Sequence, residues 1–322
     1  RQLYILSTRL TKMTEEKNSV SFNVTIGDDD TLNEVELDNW EPSDMRLSPS
    51  KINLFLQCPK SFYYRYIAKL PEKLTLHLFR GTIVHDLLEI IFTQKFKYAS
   101  GWRNDEPAEW AVLEFRKRWT KLKTEKSWLF DMDKNGGLDG DLMEKESIDL
   151  LINFCHRVQK KVEELTDWKV ARTRDMAFNQ LKPKFAEMRV HNKELKIMGI
   201  VDVVVKDFED NISIIDYKTS KRYGSWLPED YYRQLIIYSL LYYEETGVKP
   251  KFAGIHWLRY DDLYMVHVTD DTLSEARQLI KGIHDELSQR GVDEENFNVV
   301  PQKLCKWCAF YKNPCEPGPL PR

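Results

Sequence analysis

The sequence predicts an α/β protein: a central mixed sheet with flanking helices, a helical region before it and a cysteine-bearing segment after it. Three observations support this. Apolar residues recur at three- and four-residue steps through much of the first half. From Phe185 the period shortens to two over three consecutive stretches. Two long helical patterns then alternate with two further extended stretches.

Residues 1–45 combine a short apolar start with the acidic run Asp28-Asp29-Asp30, and they read as an irregular lead-in. A helix opens at Ser48-Pro49, a capping serine followed by a first-turn proline, with Ile52, Leu54, Phe55 and Leu56 apolar. It should stop before Cys58-Pro59, because the residue ahead of a proline avoids helical geometry. Pro59 can open a second helix running to about Ala68. A third is expected from about Gly81 to Phe96, with Val84, Leu87, Leu88 and Ile91 as its stripe. A charged helical region follows to about residue 165, broken by a loop from Asp131 to Gly140.

Phe185 to Val190, Leu195 to Val205 and Ile212 to Tyr217 read as strands, with Asp210-Asn211 as a turn. In the middle one Val201, Val203 and Val205 alternate with Asp202 and Val204. A helix from about Pro228 to Thr246 is closed by Gly247, and strands from Phe252 to Arg259 and Tyr264 to Val268 flank Asp261-Asp262. In the last helix Leu273, Ala276, Ile280, Ile283 and Leu287 recur at three and four, and Gly291 sits where a terminating glycine belongs. The expected division is therefore 1–45 lead-in, 46–180 helical region, 181–292 sheet core and 293–322 cysteine segment.

Composition narrows the function. With 42% hydrophobic residues the chain can bury a sizeable core, and 31% charged residues leave a solvated surface. No apolar run approaches the ~20 residues of a membrane span, and the start lacks the order of a signal peptide. The expectation is an intracellular, cytoplasmic protein with no membrane partner. A net charge of −3 argues against a generic basic nucleic-acid binder but leaves local basic patches open. Five cysteines, three of them crowded near the end, make a poor disulfide framework and a better metal-ligating set.

The chemistry concentrates in Met198-Gly199-Ile200-Val201-Asp202 and Ile214-Ile215-Asp216-Tyr217-Lys218-Thr219. Residues two apart on a strand share a face, so Asp216 and Lys218 point the same way, and an antiparallel neighbour can bring Asp202 alongside. Converging carboxylates make an oxygen-rich site for Mg²⁺ or Mn²⁺. A lysine beside them can orient a water or steady charge on a phosphate oxygen, as metal-assisted phosphodiester hydrolysis requires. Asp-x-Lys alone is more often a surface ion pair than a site. Asp202 amid valines is harder to dismiss, because a buried charge needs a partner.

Gly199-Ile-Val-Asp202, Asp216-Tyr-Lys218-Thr219 and Gln234 with Tyr238 resemble the PD-(D/E)XK nucleases, whose shared fold is restriction-endonuclease-like. The nearest branch is the RecB/AddB-like exonucleases, among them the CRISPR-associated RecB-like nucleases. Gly81-Thr-Ile-Val-His85-Asp-Leu-Leu-Glu89 matches their upstream histidine motif. The resemblance covers residues 46 to about 317. It implies that His85, Asp202, Asp216 and the carbonyl of Tyr217 bind the divalent metal. It further implies that Lys218 activates the attacking water and that Gln234 and Tyr238 line the site. Glu89 would stand one turn behind His85, and Glu187 lies near the position of an additional family acid.

Cys305-Lys-Trp-Cys308 and Cys315 give three thiols within eleven residues, and Cys58 can supply a fourth. Four thiolates suit a [4Fe–4S] cluster or structural zinc, and spacing does not separate the two. The resemblance implies the cluster, with a structural role, although the Cys308–Cys315 gap of six residues is one longer than the usual family spacing. Cys155, among Leu150, Leu151, Ile152 and Phe154, reads as a core thiol.

DNA is the expected partner, single-stranded ends above all. Residues 115–126 hold six basic residues against one acid, with Trp119 and Trp128 interleaved or flanking, a pattern that fits a single-strand groove or a solvated helix face. Lys218 to Arg222 is the basic stretch nearest the proposed metal, and Tyr63, Tyr64 and Tyr66 can stack on bases or pack around the cysteines. Arg1 to Arg9 resembles the last motif of superfamily-1 helicases, and the chain lacks an initiator Met. Together these imply the nuclease end of a helicase–nuclease, with a helicase domain or subunit as partner, acting in recombination or repair. The competing reading is a non-catalytic DNA-binding or scaffold module that keeps the fold.

Overall fold

In the computed structural model, five strands form one sheet in the order β1-β2-β3-β4-β5. The structure describes residues 44–72, 74–94, 106–132, 136–207, 209–222 and 224–321. The readings made for residues 1–43, the acidic run and the helicase-like start among them, lie outside the described residues. The strands are β1 (Phe185–Asn192), β2 (Ile197–Lys206), β3 (Ile212–Lys218), β4 (Phe252–Trp257) and β5 (Asp262–His267). β1, β2 and β3 run antiparallel in succession, β3 and β4 pair in parallel, and β4 and β5 are again antiparallel. A parallel pair needs a crossover, and the 18-residue helix α7 (Glu229–Thr246) provides it.

Helices cover both faces. On one lie α3 (Leu76–Ile90), α4 (Glu106–Glu125), α5 (Gly140–Asp167) and α6 (Arg174–Leu181). Their core takes in Val203, Tyr217 and Leu258 from the sheet. On the other, α1 (Pro49–Gln57), α7 and α8 (Asp270–Arg290) enclose Ile197, Val201, Val204, Ile214, Ile255 and Trp257. Central β3 is accordingly apolar along most of its length, as a strand covered on both sides must be. Among the described residues, no helix is long and apolar enough to cross a membrane.

Caps explain most boundaries. Ser48 and Thr75 each accept a backbone N–H three residues ahead, from Lys51 and Leu78. Gly247 ends α7 in the left-handed region (φ 69°) that favours glycine. Gly291 follows α8 at φ 62°, ψ −148°, a region nearly confined to glycine, rather than in the usual left-handed cap.

Several elements differ from expectation. The third helix starts at Leu76, five residues before Gly81, because Thr75 caps it and Gly81 is tolerated inside, and a 3₁₀ turn (Ile91–Thr93) replaces its expected last turns. The second helix is a single α turn, α2 (Pro59–Phe62), continued by a wider π turn at Tyr63–Ile67. Helix α6, capped by Thr173, had no strong apolar signal. β5 begins at Asp262 because Asp261, at φ 49°, completes the turn by itself. Trp119 does not face a groove. It is 1% exposed and stacks on Phe115 with ring centroids 5.4 Å apart, on the α4 stripe that runs through Ala108, Ala111 and Leu122.

Candidate active site

The sheet is distorted where Asp202 sits. Strict alternation would put Val201, Val203 and Val205 on one face. Instead Val201 packs in the α7–α8 core, whereas Val203 and Val205 pack against α3–α6. The change of face falls at Asp202. Opposite it in the β1–β2 register stands Glu187, between the pairs Ala186–Val203 and Met188–Val201, with φ 50°. A left-handed residue within a strand costs roughly 1–3 kcal/mol and persists only where its surroundings enforce it. On the other side, the β2–β3 ladder runs from Lys206–Ile212 to Val203–Ile215. Beyond it the Asp202 side chain takes over, Oδ2 accepting the Tyr217 N–H at 2.9 Å. The carboxylate is thereby fixed in the plane of the sheet.

Asp216 and Lys218 both reach α7. Lys218 Nζ donates to Gln234 Oε1 at 3.0 Å, and Gln234 Nε2 donates to Asp216 Oδ1 at 2.9 Å and to the Tyr238 hydroxyl at 3.1 Å. Gln234 and Tyr238 are four apart and share a helix face. Tyr238 lies tight on the Gly199 backbone, where a Cβ would fall 2.8 Å from its ring. That close approach is the physical reason for the glycine three residues before Asp202. Lys218 Nζ also lies 2.6 Å from Asp216 Oδ2, but not along a hydrogen-bonding direction, so that buried oxygen has an ionic neighbour and no aligned donor. Tyr217 turns its ring to the other face, against Phe154 and His256.

His85, on α3, faces Asp202 across 3.4 Å from Nδ1 to Oδ2. Together with Glu187, these two place one ligand atom each within 4.8 Å of the others. Asp216 stands outside that trio but acts electrostatically on both His85 and Asp202. Burial, then repulsion from Asp216, pushes the Asp202 carboxyl well above the usual carboxylate range. Glu187 is raised by burial and by Glu89 and Asp86, and Glu89 itself by burial and Asp86. Burial holds His85 below its ordinary value, which keeps the imidazole neutral and able to ligate. Burial would also lower Lys218, but Asp216, Asp202 and Tyr231 together outweigh it and raise it above its ordinary value. An excess of buried carboxylates, a neutral imidazole and an unsatisfied Asp216 oxygen suit a hard divalent cation.

An open cleft of about 580 Å³ leads to Lys218, Gln234 and Tyr238, walled by α1 (Asn53, Gln57) and reached by Arg65 and Arg189. The basic run on α4 lies elsewhere. Arg116 pairs with Glu144, Lys117 with Glu114, Arg118 with Asp86, Lys121 with Glu125 and Lys123 with Asp141, so it behaves as an ion-paired helix face. With Trp119 buried, its reading as a base-stacking groove is not supported. Sequence reasoning also missed the two cleft arginines and left Glu187 at the margin. The latter's signal is backbone conformation, which residue type does not announce.

Cys58, Cys305, Cys308 and Cys315 come from opposite ends of the described chain to one locality. Cys315 is pushed up to about 11, by burial and then by Cys58, Cys308 and Cys305. Lys60 N–H donates to the Asn298 carbonyl at 3.1 Å, Gln302 Nε2 to the Gln57 carbonyl at 3.1 Å, and Tyr64 Oη to Glu294 at 2.9 Å. Tyr63 and Tyr64 pack on Phe297 and Phe310, so both serve this junction. Cys155 is apart, 1% exposed in the α3–α6 core, its thiol pushed up to about 12 by burial.

A five-stranded mixed sheet whose central strands carry carboxylates and a lysine toward a histidine-bearing helix defines an α/β architecture with an acidic cluster that could hold a metal ion. Residues 46–316 match the PD-(D/E)XK nuclease superfamily, and the chain belongs to that superfamily. A crystal structure of a provisionally named exonuclease from Eubacterium rectale is similar at 14% identity and a TM-score of 0.45, over 87% of this chain and 91% of that one. No curated protein matches.

Proposed function

We propose that this chain is a divalent-metal-dependent DNA nuclease, an exonuclease of RecB/AddB-like character acting on single-stranded ends during recombination or repair. The observation that carries the chemistry is the gathering of His85, Glu187 and Asp202, with Asp216 acting on two of them and paired to Lys218, which lines an open cleft. His85, Asp202, Asp216 and the Tyr217 carbonyl would hold Mg²⁺ or Mn²⁺, with Glu187 as a further carboxylate. The cation supplies Lewis acidity and lowers the pKa of a bound water.

The chain's own residues do the rest. Asp202 is fixed by the Tyr217 N–H, so its carboxylate is oriented before any cation arrives. Lys218 pairs with Asp216 and donates to Gln234, so it can place positive charge and an N–H donor beside the phosphate and activate the attacking water. Gln234 holds Asp216 and Lys218 in one plane, and Tyr238 buttresses Gln234. A helicase domain or subunit would deliver the strand.

The four gathered cysteines support a [4Fe–4S] cluster with a structural role. Four thiolates suit either that cluster or structural zinc, and the family resemblance carries the choice of the cluster. Iron and acid-labile sulfide analysis of anaerobically purified protein tests this, and one equivalent of zinc would overturn it. For the nuclease, end-labelled DNA of both polarities is incubated with Mg²⁺ or Mn²⁺ and wild type, Asp202→Ala or Lys218→Ala. Digestion by wild type alone is expected, and digestion surviving both substitutions removes the site assignment.

A further inference from the structure

A second charged cluster lies on the α3–α5 side of the sheet, outside the cleft described above, and the mechanism does not use it. Arg80, on α3, is 6% exposed, yet among the described residues its one hydrogen-bonding partner is Glu146, a long 3.4 Å contact from Nη1 to Oε2. The same oxygen accepts from Arg259 Nη2 at 2.7 Å. Arg80 Nε, Arg80 Nη2 and Arg259 Nε are buried with no hydrogen-bond partner. Lys221 also acts electrostatically on Glu146, and exposed His77 feels both Arg80 and Glu146. One carboxylate thus faces three cations.

A structural salt link does not need this arrangement. Glu146 spends one oxygen on two guanidinium groups, leaving a net positive charge and donors without acceptors in a partly desolvated place. A second anion would satisfy them, and planar guanidinium forks fit the paired oxygens of a phosphodiester. Position favours the same ligand. Lys221 is three residues past Lys218, at most about 10 Å of extended chain. Arg259 follows β4, whose Trp257 is in register with Lys218, and Leu258 N–H donates to the Lys218 carbonyl at 3.1 Å. Arg80 precedes His85 by five residues on α3, about 7.5 Å along the axis.

We propose that Arg80 and Arg259, bridged by Glu146 and joined by Lys221, form a subsite that grips a non-scissile phosphate of the substrate strand. It lies roughly one to three nucleotides from the bond that is cut, taking 3.4 Å or more per nucleotide. This rests on the nuclease reading above. Glu146 is a positioning residue: through one oxygen it bridges the two guanidinium groups and leaves donors of both without a protein acceptor.

The test uses the full chain with Mn²⁺ and oligonucleotides in which one phosphate at a time is replaced by an uncharged methylphosphonate. In wild type, one position besides the scissile one should raise KM about tenfold with kcat little changed. That penalty should vanish in Arg259→Gln and shrink in Lys221→Ala, which is exposed and should fold normally. Arg259→Gln should also lower the salt dependence of binding by about one phosphate contact. Arg80→Gln is a third arm, interpreted only with its melting temperature. Equal methylphosphonate profiles in wild type and Arg259→Gln would overturn the proposal, as would a variant that loses stability but keeps its KM. If wild type neither binds nor cuts DNA, the nuclease reading itself has failed. In that case thermal stabilisation by inorganic phosphate, lost in Arg259→Gln, would keep the anion subsite, and no stabilisation would remove it.

Discussion

Replacing Gly199 with alanine probes how the strand motif builds the site. The new methyl would fall 2.8 Å from Tyr238 Cε1, 3.2 Å from Cδ1 and 3.3 Å from Leu241 Cδ1. Carbon atoms prefer about 3.5–4.0 Å, so the ring must retreat by nearly an ångström in a packed core. Overpacking of this kind costs about 1–3 kcal/mol. Displacing Tyr238 also weakens the Gln234 bond at 3.1 Å, adding about 0.5–1.5 kcal/mol. The total, roughly 2–4 kcal/mol, is measurable by urea denaturation, and cleavage should fall with it because Gln234 loosens its hold on Asp216 and Lys218. Tyr238→Leu removes the clashing atoms, so the double variant should be less destabilised than the two single ones summed, by at least about 1 kcal/mol. Strict additivity, or an alanine variant within 0.5 kcal/mol of wild type, would refute the claimed packing.

Other outcomes follow from the same geometry. Lys218→Ala should lower kcat by about 10²–10³, the range for losing one aimed electrostatic donor, while Mn²⁺ still raises its melting temperature. In chelator, stability should fall as pH rises above the ordinary carboxylate range. Asp202 and Glu187 have raised values in the fold, so the native state binds more protons than the unfolded chain across that window. Asp202→Asn should flatten that fall in urea midpoints measured across pH. Cys58→Ser should cost a few kcal/mol and bleach any iron–sulfur absorbance, whereas Cys155→Ala should cost stability alone.

Much of this architecture was legible in the sequence. The final helix is set by Leu273, Ala276, Ile280, Ile283 and Leu287, all buried, and the strands by their two-residue period. Asp216 and Lys218 could be placed on one face because residues two apart on a strand point the same way, whereas Gln234 and Tyr238 entered only through the family resemblance. The failures have physical causes. Trp119 beside arginines and lysines looks the same in sequence whether its ring packs inward or outward; only the α4 stripe decides. The face change at Asp202 depends on Glu187 adopting a backbone conformation rare outside glycine, which no pattern of apolar residues encodes. Arg80 hides within an apolar helix run, and its partners Glu146 and Arg259 are distant in sequence.

The junction between α1–α2 and the cysteine segment sets a timing on synthesis. Helix α1 forms a wall of the cleft, and its end is tied through Gln57 and Lys60 to Gln302 and Asn298. Between Cys58 and Cys305 lie 246 residues, which a ribosome adds in about 12–50 s at 5–20 residues per second. During that interval the wall lacks this one tie, although β2 can already hold Leu47 and α7 can hold Asn53. A nascent chain therefore carries every carboxylate of the site before the wall of the neighbouring cleft has this tie. The same tie makes the segment around Asn298 and Gln302 poor ground for deletion, since a cut there would loosen a surface some 250 residues upstream.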